Sequence, residues 1–220
     1  MQDREDRASG PETPKTVSVE TMRRSDAWTI AGGVPSRELM FRAGRGIFEA
    51  GAWKAPVGIV CGKGNNAGDG FVTALLLKEA GISCELLLVS DGFSDDGKYY
   101  FDRCAEAGIP YRKYDGSEAL TGYGSLLDCL FGTGFSGDVR PPYDRVIRRI
   151  NESGAYVVSA DINSGLNGDT GLGTLYVRSD LTVSIGTYKH GHFKGLADRA
   201  MKEKTNVDIG IIIVEGEDRE

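Results

Sequence analysis

The sequence lacks the features that mark a membrane protein or a nucleic-acid-binding protein. No apolar run is long enough to span a bilayer, and the first residues contain no apolar stretch of the signal-peptide kind. Basic residues form no run, and the formal net charge of −6 argues against a surface that coats nucleic acid. We therefore expect neither a membrane nor a nucleic acid as a partner.

Cysteine and histidine are scarce and scattered. The sequence has four cysteines, none in a CxxC pair: Cys61, Cys84, Cys104 and Cys129. A free cysteine in an apolar segment behaves as a small hydrophobic group, and this usage indicates a reducing compartment, so we expect a cytoplasmic protein. His190 and His192 have no cysteine cluster nearby, which disfavours zinc. We expect both to be solvated or hydrogen-bonding loop residues.

Strand-like and helix-like segments alternate along the chain. The strand-like runs are apolar on both faces, as buried parallel strands are, and cover residues 57–61, 84–89, 125–131, 155–160, 181–185 and 207–214. Helices are expected over residues 18–33, 37–51, 69–80, 94–107 and 141–152. The pattern predicts one α/β domain at 17–220, a Rossmann-like, doubly wound, mostly parallel sheet in a three-layer α/β/α arrangement. The charged residues 1–16 are predicted to be a disordered tail.

Four polar, glycine-rich loops each follow a predicted strand, at residues 62–68, 132–138, 161–170 and 186–191. One such loop could be an ordinary turn. The carboxyl ends of parallel strands share one edge of a sheet, and ligands bind in the crevice at that edge. Four loops of this kind at one edge therefore predict a binding site.

The first loop, CGKGNNAGDG at 61–70, fits the GxGxxA pattern of a dinucleotide-binding turn. Its glycines let the backbone approach a phosphate, and the following helix supplies free N–H groups. Asp91, after the next strand, could then accept a hydrogen bond from a ribose hydroxyl, as in a dehydrogenase. The Walker pattern fails because Asp69 stands where Lys and Ser or Thr are needed. Asp69 is instead predicted to be the N-cap of a helix over 70–80.

Two aspartates raise alternatives that the sequence leaves open. Asp128 lies in an otherwise apolar strand, so it either reaches solvent or Lys63, or binds a cation together with Asn66 and Ser164. One carboxylate among neutral oxygens suits a monovalent or weakly held divalent ion. Asp161, at a strand end, is either a turn cap or an acid/base group.

Two further charged residues in the loops are equally ambiguous. Asp138 can cap a turn or contact a ligand. Lys189 can contact a phosphate or be a surface charge.

Together these residues resemble the NAD(P)H-hydrate epimerase family, the YjeF N-terminal domain. The motifs that carry the resemblance are ELMFRAG at 38–44, GKGNNAGDG at 62–70, DCLFGTGFSGDVRPPYDRVI at 128–147, SADINSGLNGDTG at 159–171, DLTVSIGTYKHG at 180–191 and VDIGI at 207–211. The resemblance implies an enzyme that interconverts the R and S epimers of hydrated NADH and NADPH. The dinucleotide is then a substrate and not a redox cofactor.

The resemblance also implies roles for individual residues. It assigns a potassium ion to Asn66, Asp128 and Ser164. It assigns substrate contacts to Asn65, Asn66, Ala67, Gly68, Asp69, Gly132, Thr133, Gly134, Phe135, Ser136, Gly137, Asp138 and Asp161. We expect Asp161 to be the catalytic acid/base, with Asp138 as the second candidate.

The sequence departs from the family pattern at four positions. The family usually has Gly at Ala67, Pro at Asn163 and Asp at Asn167, and some members have Lys at Ser136. We expect the methyl group of Ala67 to crowd a phosphate slightly. Because the ligand positions are kept, the departures are expected to affect rate and preference more than identity.

Some family members are fused to a dehydratase, and here a separate dehydratase is expected as the pathway partner; a homodimer is compatible with the pattern. The alternative to an epimerase is a non-catalytic nucleotide-binding or interaction scaffold on the same fold. A redox dehydrogenase is a third hypothesis, which no motif beyond the first loop supports.

Overall fold

The computed structural model describes residues 14–214 as alternating strands and helices. In chain order the elements are β1 (Thr16–Val17), α1 (Val19–Ala31), α2 (Ser36–Ala50), β2 (Val57–Cys61), α3 (Asn65–Glu79), β3 (Cys84–Leu88), α4 (Asp95–Glu106), β4 (Tyr111–Lys113), β5 (Ser125–Cys129), α5 (Tyr143–Glu152), β6 (Tyr156–Ala160), β7 (Ser179–Ile185), β8 (Tyr188–Lys189), α6 (Ala197–Ala200) and β9 (Met201–Val207). A single 3₁₀ turn, His190–His192, follows β8.

Seven of the strands form one parallel sheet in the order β4-β3-β2-β5-β6-β7-β9. From β2 the chain first builds outward through β3 to β4. It then returns to the other side of β2 and continues from β5 to β9. The order of the strands therefore reverses between β2 and β5. In an open parallel sheet, the crevice outside the carboxyl ends of strands at such a reversal is where ligands bind.

Alternate side chains of β2 pack on opposite faces of the sheet, as the two-residue strand period requires. Ile59 belongs to the core beneath α2, α3 and α4, together with Phe71. Val60 belongs to the core beneath α5, together with Ile147. All four side chains are fully buried. The predicted single-domain, three-layer, Rossmann-like fold is confirmed.

The prediction of a strand at 207–214 is wrong. The last strand is β9, whose sequence MKEKTNV is charged and largely half-buried, as suits an edge strand. The apolar residues that follow lie along α1 instead. The backbone N–H of Ile212 donates to Thr29 Oγ1 at 2.9 Å, and that of Val214 donates to Ser25 Oγ at 3.0 Å. Ile209 and Ile211 of the run pack on the core that includes Leu39, so the run is apolar without joining the sheet.

Short polar strands also escaped prediction. β4 is a three-residue edge strand, and β1 pairs in parallel with β8 outside the main sheet. Thr16, assigned to the disordered tail, is therefore part of a strand, while residues 1–13 of that tail lie outside the described residues. Within 14–214, no helix combines the length and apolar character needed to cross a membrane.

The contact between α2 and α3 depends on the absence of a side chain at Gly44. A Cβ there would clash with Val72 and lie 2.7 Å from the carbonyl oxygen of Asp69. We expect Gly44→Ala to lower the free energy of unfolding by about 1–3 kcal/mol, because overpacking outweighs the helix propensity of alanine. Gly122→Ala is the control, since a Cβ there meets no atom within 4 Å. Equal urea midpoints for both variants would contradict this account.

Candidate functional site

A cavity of about 830 Å³ opens at the reversal point of the sheet. Its walls come from the loops after β2 and β5, the end of β6, and helices α1 and α2. Of the residues predicted to contact substrate, those that line it are Asn65, Asn66, Asp69, Gly132, Thr133, Gly134, Phe135, Ser136, Gly137, Asp138 and Asp161. The loops that the sequence placed at one edge of the sheet thus meet around one space.

The helix after the first loop starts earlier than predicted. Gly64, at φ +80°, ends the loop, and α3 begins at Asn65. Asp69 is therefore not an N-cap. It lies in the second turn of α3, is 9% exposed and lines the cavity. Burial, together with the nearby carboxylates of Asp161 and Asp26, raises the pKa of Asp69 well above its usual value.

Ala67 and Gly68 do not line the cavity. Ala67 is fully buried in the core beneath α2 and α3, so its methyl group does not crowd a phosphate, contrary to expectation. A Cβ on Gly68 would clash with the side chain of Met40. These two positions serve the packing of α3 against α2.

The loop after β5 runs between the two polar side chains at the base of the cavity. A Cβ on Gly132 would lie 3.3 Å from Asp161 Oδ2 and 3.6 Å from Asn66 Cβ. The next backbone N–H, of Thr133, donates to Asp161 Oδ2 at 3.1 Å. Asp138, further along, accepts a hydrogen bond from Thr174 Oγ1 at 3.1 Å and is exposed. Glycine at 132 lets the loop approach both side chains closely.

Asp161 is the most constrained carboxylate of the site. Its φ of 65° is left-handed, and it is the one non-glycine residue among 14–214 with a positive φ. Lys189 Nζ donates to Asp161 Oδ1 at 2.5 Å and to the carbonyl oxygen of Ile185 at 2.8 Å. Lys189 is 1% exposed, so its interpretation as a surface charge is wrong. Burial raises the pKa of Asp161, but the Lys189 charge and the hydrogen bonds from Lys189 and the Thr133 N–H together lower it by more, so the net pKa lies below the usual value.

His192 forms hydrogen bonds to the backbone of both Asp161 and Lys189. Its Nε2 donates to the carbonyl oxygen of Asp161 at 2.7 Å, while its Nδ1 accepts the backbone N–H of Lys189 at 3.1 Å. The acceptor carbonyl fixes the proton on Nε2, and the ring is fully buried. Burial, and then the Lys189 charge, lower the pKa of His192 to about 4. The prediction of a hydrogen-bonding residue is right, but the ring is not solvated.

Asp128 is sealed inside the sheet, so the alternatives of solvent or Lys63 as its partner are wrong. Its Oδ1 accepts from Ser164 Oγ at 2.6 Å and from the Leu130 N–H at 3.2 Å. Its Oδ2 accepts from the Ser164 N–H at 2.9 Å and from Ser159 Oγ at 3.0 Å. Burial raises the pKa of Asp128 despite these hydrogen bonds. The carboxylate ties β5, β6 and the loop after β6 together.

Asn66 is the polar side chain of the site with unmet hydrogen-bonding needs. It is 7% exposed and lines the cavity, yet neither its Oδ1 nor its Nδ2 has a partner in the described structure. An orphaned buried amide is costly unless a ligand satisfies it. Across residues 14–214, no cluster of three His, Cys, Asp or Glu could hold a metal. Ser164 Oγ lies 2.6 Å from Asp128 Oδ1, and a carboxylate with neutral oxygen ligands suits a weakly held cation better than zinc.

The structure also brings residues into the cavity wall that the sequence did not identify as functional. Beyond Lys189, they include Arg23, Asp26, Lys63 and Arg140. The sequence contains a signal for Asp26, because this acidic residue lies on the same stripe of the helix as the apolar Val19, Met22 and Ile30. Burial raises the pKa of Asp26 to about 6, with Lys189 lowering it and Asp161 raising it.

Comparisons with a family profile and with known proteins point to the same family. The profile described as "YjeF-related protein N-terminus" matches residues 36–191. The chain is 35% identical over 207 residues to the NAD(P)H-hydrate epimerase of Lentilactobacillus buchneri, covering 90% of this chain and 95% of that protein. It is 32% identical to the epimerase of Limosilactobacillus fermentum, covering 81% of this chain and 89% of that protein.

Longer relatives and a solved structure complete the comparison. The chain is 35% identical to a bifunctional NAD(P)H-hydrate repair enzyme of Coxiella burnetii, over 77% of this chain, and it spans 36% of that protein's length. The crystal structure of yeast ynu0 (YNL200c) superposes with a TM-score of 0.74 at 19% identity, covering 92% of this chain and 96% of that one. At that identity the likeness concerns the fold.

The buried His192 predicts a pH dependence of stability. The unfolded chain binds a proton near pH 6.5, whereas the folded ring resists protonation to about pH 4. Stability is therefore full above pH 6.5 and falls as the pH drops towards 4, by about 3 kcal/mol for this group. His192→Gln, which cannot titrate, should flatten the pH profile of urea unfolding, and His190→Gln should not. Identical slopes for wild type and His192→Gln would refute the assignment.

Proposed function

The chain belongs to the YjeF-related protein N-terminus family, and we propose that it is an epimerase that interconverts the R and S forms of hydrated NADH and NADPH. The observation that carries the proposal is Asp161, a carboxylate held ionised by Lys189 in the wall of a cavity at the reversal point of the sheet. The names of full-length relatives support the same activity. At about 830 Å³, the cavity is within the size range of small-molecule sites.

The dinucleotide would bind along the two loops that flank the reversal point. The first backbone N–H groups of α3 have no acceptor within the helix. They can therefore donate hydrogen bonds to a pyrophosphate. The loop at 132–138 lies beside it in the cavity wall. In this arrangement the dinucleotide is the substrate, and no hydride transfer follows.

Epimerisation requires a proton donor and acceptor beside the hydrated carbon. That carbon carries a hydroxyl next to the ring nitrogen, so inversion proceeds by loss and return of the hydroxyl, or by ring opening and closure. Asp161, ionised and fixed on both oxygens by Lys189 and the Thr133 N–H, is the acid/base group. Its fixed position contributes by orienting it towards the bound ring.

A potassium ion is part of this proposal. The orphaned Asn66 amide oxygen, with Ser164 and Asp128, would hold it. When bound, the ion supplies positive charge that orders the loops around the cavity. The pathway partner is a dehydratase acting on the same hydrate, in keeping with the bifunctional names of longer relatives. A cytoplasmic location and a homodimer belong to the same proposal.

Asp161→Asn tests the catalytic assignment. Asparagine tolerates the left-handed backbone and keeps a hydrogen-bonding side chain, but it cannot carry a proton. We expect turnover to fall about 100- to 10,000-fold, measured by chiral chromatography of the two epimers, with dinucleotide affinity by calorimetry little changed. Asp102→Asn, at an exposed acid of α4 outside the cavity wall, is the control and should retain activity. Near-wild-type turnover in Asp161→Asn would move the role to Asp138, and binding without turnover in the wild type would favour a scaffold.

Asn66→Leu tests the potassium site. A ligand of the native state raises the melting temperature with concentration, so potassium chloride should stabilise the wild type more than choline chloride does. Replacing the Asn66 amide should abolish that difference. Asn65→Leu is the matched control, because Asn65 is exposed and is not among the proposed cation ligands. Equal responses to the two salts in the wild type would dismiss the ion.

A further inference from the structure

One carboxylate of the cavity has no role in the account so far. We propose that Asp26, on α1, is a second catalytic residue, which donates the proton to the departing hydroxyl while Asp161 accepts the proton of the returning water. The proposal rests on the proposed epimerase function and deepens it. Asp26 reaches the cavity from the helical wall, whereas Asp161 reaches it from the end of β6.

The position of Asp26 within α1 gives it no structural task. Ser18 caps the helix, and its hydroxyl accepts the N–H of Thr21. Asp26 lies two turns further on, too far to stabilise the helix N-terminus. Its neighbours on the buried side, Ser25 and Thr29, donate their hydroxyls to backbone carbonyls of α1 at 2.8 Å. A half-buried aspartate at this point disfavours packing, which indicates a function.

The carboxylate of Asp26 also has no partner. Within residues 14–214 it makes neither a hydrogen bond nor an ion pair, and its oxygens remain accessible from the cavity that it lines. By contrast, Asp96 in the same cavity wall contacts Arg37 and Ser36. The charged groups that share the cavity with Asp26 are Arg23, Lys63, Asp69, Asp96, Asp138, Arg140, Asp161 and Lys189. A free carboxyl facing a substrate-sized space is placed to contact substrate.

The surroundings push Asp26 and Asp161 towards opposite protonation states. Burial raises the pKa of Asp26 to about 6, while Lys189, despite burial, holds the pKa of Asp161 below its usual value. Two carboxyl groups separated in this way within one site supply an acid and a base at the same pH. A donor that titrates near the working pH can also be reprotonated between turnovers.

The step balances in atoms and charge. The Asp26 carboxyl gives its proton to the hydroxyl, the C–O bond breaks, and water leaves as the ring nitrogen lone pair forms a C=N⁺ bond. Water then adds to the other face of the carbon, the C=N⁺ electrons return to nitrogen, and Asp161 takes the released proton. Proton exchange through water in the cavity restores both groups. The reverse epimerisation starts with the roles exchanged.

Asp26→Asn and Asp26→Glu test the assignment. In the wild type, kcat/KM should fall as the pH rises through about 6, because the donor must be protonated. Asp26→Asn should lower kcat at least about 100-fold in both directions, remove that limb and leave dinucleotide binding unchanged. Asp26→Glu should restore part of the activity. Glu20→Gln, which removes an exposed acid of the same helix outside the cavity wall, is the control and should match the wild type.

Three results would overturn the inference. Asp26→Asn turning over within about threefold of the wild type, with the limb near pH 6 retained, removes Asp26 from the chemistry. A carboxyl titration of Asp26 in the wild-type protein by carbon NMR that gives an ordinary aspartate value does the same, even where the variants fail to fold. A wild type that does not interconvert the epimers refutes the proposed function itself, and the donor role with it.

Discussion

The ion pair between Lys189 and Asp161 fixes the geometry around which the cavity is built. An ammonium that is 1% exposed is tolerated only with a close counter-charge, and the 2.5 Å contact to Asp161 provides it. Removing one member of such a pair typically costs about 3–5 kcal/mol. The pair joins the end of β6 to β8 and holds Asp161 in its left-handed conformation. The Thr133 N–H and the His192 ring then attach to the same residue.

A second buried polar side chain, Asn163, explains how this arrangement tolerates a departure from the family pattern. Asn163 lies in the loop after β6, at a position where the family that the sequence resembles usually has proline. Its Nδ2 donates to the carbonyl oxygens of Val177 and Ala200 and to Ser179 Oγ, and its Oδ1 accepts from Thr182 Oγ1. Proline would restrict the loop through its ring; asparagine restricts it through four hydrogen bonds to the structure around β7. The conformation of Asp161, two residues earlier, has support from both sides.

The sequence predicted what depends on apolar pattern and missed what depends on tertiary proximity. β2 was predicted to the residue because VGIVC is buried on both faces, whereas β9 was not, because an edge strand can be charged. Asp161 could be singled out as a polar residue at the end of a strand. Its contact with Lys189, 28 residues away, could not, since no local pattern sets the distance between two loops. The sequence shows Asp26 as an acid on the apolar stripe of a helix, but no local pattern indicates that this stripe lines the cavity.

The charge of the cavity depends on which carboxylate Lys189 contacts. Three carboxyl groups, of Asp26, Asp69 and Asp161, influence one another across the cavity, and the Lys189 ammonium contacts one of them. The other two are driven towards the protonated state by burial and by the ionised Asp161. This matters for an anionic ligand, because the Lys189 ammonium offsets the charge of the ionised Asp161. The pairing reduces the repulsion between Asp161 and a pyrophosphate while a base remains in the site.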